Sequence, residues 1–517
     1  MSQRLRPVLP AGSARAASWP LHDLAASRAL EAAATETLPP YTLMQRAGAA
    51  VARLAMAVAP HAPRLWVAAG PGNNGGDGLE AALQLQIAGK AVAVSLYGEA
   101  ARLPADARTA LERCQAAGVR IEPGGVERPA GIDAETGAAL AVDALLGLGS
   151  SRAPAGLLAQ GVAQLRRWRG PVLAVDLPTG LDAGSGQALG GDIEACVRAD
   201  HTLALLTLKP GLFTGHGRDL AGRVWFDDLG VAPGDGATAE LRSGSTGLHP
   251  RRTHAQHKGS FGDVLVLGGA PGMSGAALLA ARAALAAGAG RVYACPLDEA
   301  LPPLDAGMPE LMFRRVEAAR RMDWQALTLV CGCGGGEAVR AVLPQALSRG
   351  GRLVLDADAL NALAADPSLQ RLLQARSARG LPTVLTPHPL EAGRLLQCSA
   401  AEVQAQRLEA AAELARRHGC VVVLKGSGSI VAAPGAPTAV NASGNAALAT
   451  AGTGDVLAGW LGGLWSQGLE VRDAALLAVF EHGTAADRWL SRVGTTGPLP
   501  ASQLIRELAA GSRSPGP

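Results

Sequence analysis

The sequence predicts two α/β units in succession, each a mostly parallel sheet covered by helices on both faces. Three observations carry this expectation. Short β-rich runs alternate with helix-length segments, which is how parallel sheets are built. The alternation lapses once, over 235–254, where Gly, Ser, Thr, Pro and Arg replace any apolar period. The 517 residues also exceed what one ordinary core accommodates.

After a flexible start over 1–20, Leu21 to Glu36 and Tyr41 to Val58 read as helices. Strands are expected at Leu65 to Ala69, Ala91 to Leu96, Leu140 to Asp143, Val172 to Asp176 and Thr202 to Thr207. These make a first unit over 21–234, followed by a linker over 235–254. A second unit over 255–510 places strands at Asp263 to Leu267, Thr328 to Cys331, Leu353 to Asp356, Thr383 to Leu385 and Val421 to Leu424. A long helical pair follows Gly454, and 511–517 reads as a frayed tail.

Composition narrows the function. A formal charge of +3, with Lys and Arg scattered and only three Tyr and five Phe, argues against nucleic acid as the main partner. No apolar run reaches about 18 residues, so no membrane span is expected. Seven cysteines make no disulfide framework and fit a reducing cytoplasm. Cys331 and Cys333 read as a buried apolar pair rather than a metal site, because no second Cys or His pair stands at zinc spacing. Arg4, Arg6 and Arg15 give the start the charge of a transit peptide, without the apolar core of a secretory signal. Glycine is in excess, 66 residues, which suggests tight turns and backbone approaching ligands.

The first chemical site is Gly70-Pro71-Gly72-Asn73-Asn74-Gly75-Gly76-Asp77-Gly78, between a strand and a helix expected from Leu79. Glycines there are expected to permit positive φ and to bring N–H groups against a phosphate-bearing ligand. Asp143 and Asp176 close two neighbouring strands at their carboxyl ends, where open α/β sheets bind ligands. With Asn74 and Thr179 they supply hard oxygens suited to a monovalent cation or a polar ligand.

The glycine loop, the run Val142 to Ser150, the run Val175 to Gly186, and Leu208-Lys209-Pro210-Gly211 resemble the YjeF N-terminal family, the NAD(P)H-hydrate epimerases. The resemblance spans about residues 20 to 230 and implies a Rossmann-like α/β sandwich. It implies that Asn73, Asn74, Gly75, Gly76 and Asp77, with Gly147, Leu148, Gly149, Ser150, Ser151, Arg152 and Ala153, line the hydrated dinucleotide. It further implies potassium at Asn74, Asp143 and Thr179, and Asp176 as the catalytic group beside the reacting carbon.

The second site is the loop from Asn441 through Thr450-Ala451-Gly452-Thr453-Gly454-Asp455, which opens a helix. Closely spaced glycines at a helix N-terminus can stabilise a transferring phosphoryl, and Asp455 stands where it could take a proton from an attacking hydroxyl. Leu424 to Ser429 reads as β-turn-β carrying a cation, and the strand ends at Asp356 and at Thr386 to Glu391 are polar clusters. Lys258 and Lys425 could equally be solvated surface lysines.

With His257 to Gly262 and Gly275 to Ala277, these segments resemble the NAD(P)H-hydrate dehydratase branch of the ribokinase-like superfamily, over about 250 to 507. The resemblance implies an α/β/α domain, ADP as co-substrate, and magnesium on the phosphates. Ala276, Gly334, His388 and Asp455 would contact the hydrate, and Lys425, Gly426, Ser427, Gly428, Ser429 and Gly454 the nucleotide. Where that family commonly has G-P-G-x-G, this chain reads Gly332-Cys333-Gly334-Gly335-Gly336, which loosens the Gly334 assignment.

Together the resemblances imply repair of hydrated NADH and NADPH: exchange of the C6 epimers, then dehydration of the S form. Two alternatives stay open at this stage, a kinase for a vitamin or hydroxymethyl-pyrimidine and a dinucleotide-binding protein without turnover. So do homo-oligomerisation, ADP against ATP, and NADH against NADPH hydrate.

Overall fold

The computed structural model describes residues 5–8, 18–125, 139–232, 234, 236–244, 249, 252–494 and 497–511. Two compact units divide it, Met1–Leu9 with Pro20–Ala239, and Pro10–Trp19 with Glu240–Pro517. Among the described residues no helix is long and apolar enough to cross a membrane.

The first unit is built on an eight-stranded sheet. Its spatial order is Arg6–Pro7, Arg223–Asp227, His201–Leu205, Val172–Val175, Ala139–Ala144, Arg64–Ala69, Ala91–Leu96 and Arg120–Pro123. The pairings are parallel except at the Arg6–Pro7 edge. The central strand shows why its sequence is apolar throughout. Leu65, Val67 and Ala69 enter one core and Trp66 and Ala68 another, so both faces are covered.

The second unit's sheet runs Met312–Phe313, Arg291–Pro296, Asp263–Gly268, Thr328–Cys331, Arg352–Leu355, Thr383–Leu385, Val421–Leu424, Ile430–Ala432, Thr438–Asn441 and then Ala239–Arg242. It is parallel as far as Val421–Leu424, and the next two strands return antiparallel. The helices Ser274–Ala286 and Thr453–Ser466 pack on it almost backbone to backbone. A Cβ at Gly459 would stand 2.0 Å from the Ala280 carbonyl oxygen, and one at Gly463 2.4 Å from that of Ala284. Buried Arg376 ties the sheet's opposite end, donating to Thr383 Oγ1 at 3.0 Å and to the Gly350 carbonyl at 2.6 Å.

Several expectations need correcting. The helix expected from Leu79 starts six residues earlier, as Asn73–Ile87. The start contains the strand Arg6–Pro7, held by antiparallel pairing and by the Arg6 guanidinium, which pairs with Asp228 and lies 5.0 Å over the Phe226 ring. Ser18–Leu21 is also a strand, while 1–4 and 9–17 lie outside the described residues. Inside the stretch read as linker, Ala239–Arg242 is a strand with Ala239 and Leu241 buried. Four residues are too few for periodicity to register between polar flanks. Gly511 closes the helix Ala501–Gly511, and the rest of the tail lies outside the described residues. The strand Arg291–Pro296 escaped notice because the Ala-rich helix before it blurs the change of period.

Gly459→Ala should drive a methyl into the Ala280 carbonyl and destabilise the second unit by about 3 kcal/mol. The measurement is the denaturant midpoint of that unit, and an unchanged midpoint would contradict the packing.

Candidate active sites

In the first unit, the glycine-rich segment works by close approach and not by unusual torsions. None of Gly70, Gly72, Gly75, Gly76 or Gly78 has positive φ, contrary to the sequence expectation. A Cβ at Gly70 would lie 1.7 Å from the Leu145 carbonyl oxygen, and one at Gly75 2.0 Å from that of Gly70. Gly76 abuts Met44 and Ala107, and Gly78 abuts Ala144. Missing side chains therefore draw the helix Asn73–Ile87 onto the sheet edge. Its first-turn amides, which lack intrahelical acceptors, are available to an anion.

Gly72, Asn73, Asn74 and Asp77 line a cavity of about 1210 Å³, and so does every residue from Gly147 to Ala153. Gly75 and Gly76 do not line it; they form the packing beneath.

Asp176 also faces the cavity, with a left-handed φ of 66° unusual for a residue bearing Cβ. Its Oδ1 accepts from the Leu205 amide at 3.2 Å and from the Nζ of buried Lys209. Lys209 donates in addition to the Leu205 carbonyl at 2.8 Å. Across the cavity, half-buried Asp77 is pushed well above the usual carboxylate range by desolvation and by the Asp176 carboxylate. The site thus pairs an ion-paired carboxylate with one that favours its proton.

Asp143 and Thr179 lie under this wall. Thr179 donates to Asp143 through its hydroxyl at 2.7 Å and its amide at 2.8 Å, and the Leu146 amide donates to Thr179 Oγ1 at 3.0 Å. Burial pushes Asp143 up to about 6 against those donors. Among the described residues no cationic side chain pairs with it. Asn74 stands beside Gly147 with its buried Nδ2 unpartnered.

In the second unit, four adjacent parallel strands deliver the key groups at their carboxyl ends. Cys333 follows Thr328–Cys331, Asp356 follows Arg352–Leu355, Thr386 follows Thr383–Leu385, and Lys425 follows Val421–Leu424. Lys425 Nζ lies 2.6 Å from Asp356 Oδ1, which also accepts from Thr386 Oγ1 at 2.8 Å. Lys425 is therefore part of a buried ion pair and not a solvated surface lysine.

Asp455 enters from the helix Thr453–Ser466, whose cap Gly452 has φ 86°. Atoms of Cys333, Asp356 and Asp455 lie within 4.8 Å of one another. Desolvation first, and then the Asp356 carboxylate, raise Asp455 to about 6.

The expected ligand positions gather around this cluster. A Cβ at Gly454 would lie 3.4 Å from Lys425 Nζ, and one at Gly334 2.8 Å from Ala276 Cβ. Gly332, Gly334 and Gly336 all have positive φ, so the turn holds its form with Cys333 in it. The turn Lys425 to Ser429 has Gly426 and Gly428 at positive φ, exposed Ser427 at its tip, and Ser429 Oγ donating to the Gly426 carbonyl at 3.1 Å.

His388 is largely committed to structure. Its Nδ1 caps the helix Pro389–Leu396, accepting from Leu390 N at 3.1 Å and Glu391 N at 3.3 Å, while Nε2 lies 3.3 Å from Glu391 Oε1. Burial and Lys425 lower its pKa, so the ring is a neutral, half-exposed wall.

The sequence assigns no catalytic or binding role to Lys209, Asp356 or Arg407, and it reads Cys333 as a buried apolar residue, whereas the thiol faces two carboxylates. Buried Arg407 donates to the Lys425 and Gly428 carbonyls at 3.4 and 3.3 Å, beneath the turn. For Lys209 and Asp356 the signal was present, each a charged residue just past an apolar strand. Arg407 sits in a helix 18 residues before Lys425, and nothing local marks it.

Comparison with known proteins settles the family. A family model described as YjeF-related protein N-terminus matches residues 40–211, and one described as NAD(P)H-hydrate dehydratase matches 264–509. A bifunctional NAD(P)H-hydrate repair enzyme Nnr of Escherichia coli (strain K12) is 37% identical over 479 residues, covering 91% of this chain and 89% of its own. The chain belongs to the bifunctional NAD(P)H-hydrate repair enzymes. A member from Leishmania braziliensis is 36% identical over 514 residues, with 92% and 90% coverage. The crystal structure of an ADP/ATP-dependent NAD(P)H-hydrate dehydratase from Bacillus subtilis, co-crystallised with ATP and Mg2+, is 29% identical with TM-score 0.42, covering 50% of this chain and 92% of that one. In this repair-enzyme chain the two family models fall on the two sites described above.

Lys425→Met should leave Asp356 buried without its cation and destabilise the second unit by about 3 kcal/mol. Adding Asp356→Asn should recover part of that loss. Equal denaturant midpoints for the single and double variants would argue against the pair.

Proposed function

We propose that the chain repairs hydrated NADH and NADPH, with the first unit exchanging the R and S epimers at C6 and the second dehydrating the S epimer at the expense of ADP. The observation that carries the reading is the division of acid chemistry between two centres. One sets Asp77 and Lys209-paired Asp176 in a large cavity walled by a glycine-rich helix start. The other sets Asp455, which has no salt-bridge partner among the described residues, beside the Lys425–Asp356 pair and two glycine turns.

In the first site, epimerisation needs a proton to leave one position and return at another. Asp176 is placed to hold or release that proton at its carboxylate oxygens, with Lys209 restraining its orientation. Asn73, Asn74, Asp77 and the loop Gly147 to Ala153 bind the dinucleotide.

Potassium fits the residues below the cavity. Among the described residues Asp143 is a buried carboxylate without a cationic partner, beside the Thr179 hydroxyl, and the Asn74 amide stands against Gly147 nearby. Asn74, Asp143 and Thr179 would hold the ion through oxygen, and when bound it would neutralise Asp143.

In the second site, Asp455 takes the proton from the C6 hydroxyl as that oxygen attacks the terminal phosphorus of ADP. The C6 oxygen gains the phosphoryl group and AMP leaves. The C6–O bond then breaks with loss of a proton from C5, releasing inorganic phosphate and restoring the reduced nicotinamide. Lys425 and the amides of the Gly426 to Ser429 turn and of Gly454 meet the nucleotide phosphates. Ala276, Gly334 and the ring of His388 border the hydrate.

Magnesium does not fit the acidic trio. One of its three donors is a thiol and another is a carboxylate already neutralised by Lys425, whereas magnesium demands an octahedron of hard oxygens. Its place is on the nucleotide phosphates.

The test is to incubate the chain with mixed R and S hydrated NADH plus ADP and to follow the reduced-nicotinamide absorbance. Complete recovery is expected. Recovery of the S share alone would remove the epimerase, and a stable phosphorylated product would identify a kinase. Asp455→Asn should abolish recovery while epimers still exchange, and Asp176→Asn should stop the exchange and leave recovery of the S share alone.

Because Asp455 must be ionised to accept a proton, kcat/KM for dehydration should fall as pH drops through about 6. A profile flat down to pH 4.5, about the ordinary carboxylate range, would contradict its role as base.

A further inference from the structure

Cys333 occupies the centre of the second site. Its side chain is fully buried, on a turn fixed by Gly332, Gly334 and Gly336 at positive φ. It lies between two carboxylates, its Sγ 4.0 Å from Asp356 Oδ2 and within 4.8 Å of an Asp455 carboxylate oxygen. Burial and both carboxylates hold the thiol well above its usual range, so it keeps its proton and is no nucleophile.

A thiol has one hydrogen to give, and the two acceptors are unequally supplied. Asp356 already accepts from Lys425 Nζ at 2.6 Å and Thr386 Oγ1 at 2.8 Å. The thiol can give its hydrogen to Asp356 Oδ2, toward which it points at 4.0 Å, or to Asp455, for which no other side-chain donor is found among the described residues. The backbone reinforces the placement, since the Cys333 carbonyl accepts from Gly269 N at 2.9 Å and the Gly334 carbonyl from Ala270 N at 2.7 Å. The turn is thus pinned on both sides of the thiol.

We propose that Cys333 is a positioning residue for the dehydration, its S–H donating to Asp455 and fixing which carboxylate oxygen remains free for the C6 hydroxyl. This deepens the reading of the second site and rests on it. The hydrogen bond favours the ionised carboxylate, so the thiol also extends the base's working range toward acid.

The experiment measures kcat, KM for ADP and the pH dependence of kcat/KM for S-hydrate dehydration, in the full chain and in Cys333→Ala and Cys333→Ser. Removing the donor in Cys333→Ala should move the acid limb upward by about half a pH unit, as fits a weak donor, with KM for ADP retained. Cys333→Ser, with a stronger donor, should move the limb below the wild-type position. An acid limb unmoved in Cys333→Ala overturns the proposal, as does a loss of equal factor at every pH that serine does not relieve. Should Cys333→Ala fail to unfold cooperatively or to bind ADP, serine alone decides, and a limb left in place by the hydroxyl overturns the role. A wild-type chain inactive on S hydrate would bring down the dehydratase reading and this inference with it. An active wild type with unmoved variants removes the thiol's role alone.

Discussion

Parallel strands end with their carbonyls and last side chains converging on one edge, and an acid placed there must be taken out of water without losing its charge. Both units meet that constraint with a lysine. Lys209 is buried against Asp176 and Lys425 against Asp356. In each case the lysine also helps order its surroundings. Lys209 holds the Leu205 carbonyl, and Lys425 stands against Gly454 at the start of the helix that carries Asp455. Asp77, Asp143 and Asp455, which have no lysine partner among the described residues, have their proton affinity raised by burial. The lysines fix Asp176 and Asp356 in place, while the unpaired acids keep their carboxylates buried without a cation beside them.

Glycine provides the room for this arrangement in two different ways. In the first unit Gly70, Gly75 and Gly78 serve as absent volume, allowing a helix start to press on a strand end. In the second, Gly332, Gly334, Gly426 and Gly452 are needed for left-handed backbone that redirects the chain after a strand. The same residue type answers a packing demand in one unit and a torsional demand in the other. Composition alone does not separate the two.

Much of both units was legible in the chain. The strands Ala91–Leu96, Thr328–Cys331, Thr383–Leu385 and Val421–Leu424 coincide with their apolar runs, because a strand buried on both faces has no polar interruption to confuse its limits. Short strands such as Arg120–Pro123 and Arg223–Asp227 were missed, since partial exposure leaves them mixed in polarity. At the first site the motif reading holds for Asn73, Asn74 and Asp77, which line the cavity, and not for Gly75 and Gly76, which pack beneath it. What sequence reasoning could not supply was pairing across strands. That Lys425 answers Asp356, or that Cys333 meets Asp455, depends on strand order, which no local pattern encodes.

The clamp on the Lys425 to Ser429 turn has a thermodynamic consequence. Arg407 gathers two of its carbonyls from below, and Gly426 leaves no space for a side chain, whose Cβ would meet the guanidinium at 2.9 Å. The desolvation of that arginine, whose burial lowers its pKa to about 10, is a cost met once, when the chain folds. Under the proposed function, a phosphate at this turn would meet backbone ordered in advance and spend little of its affinity on that ordering, so the gain from the clamp would reside in the entropy of association.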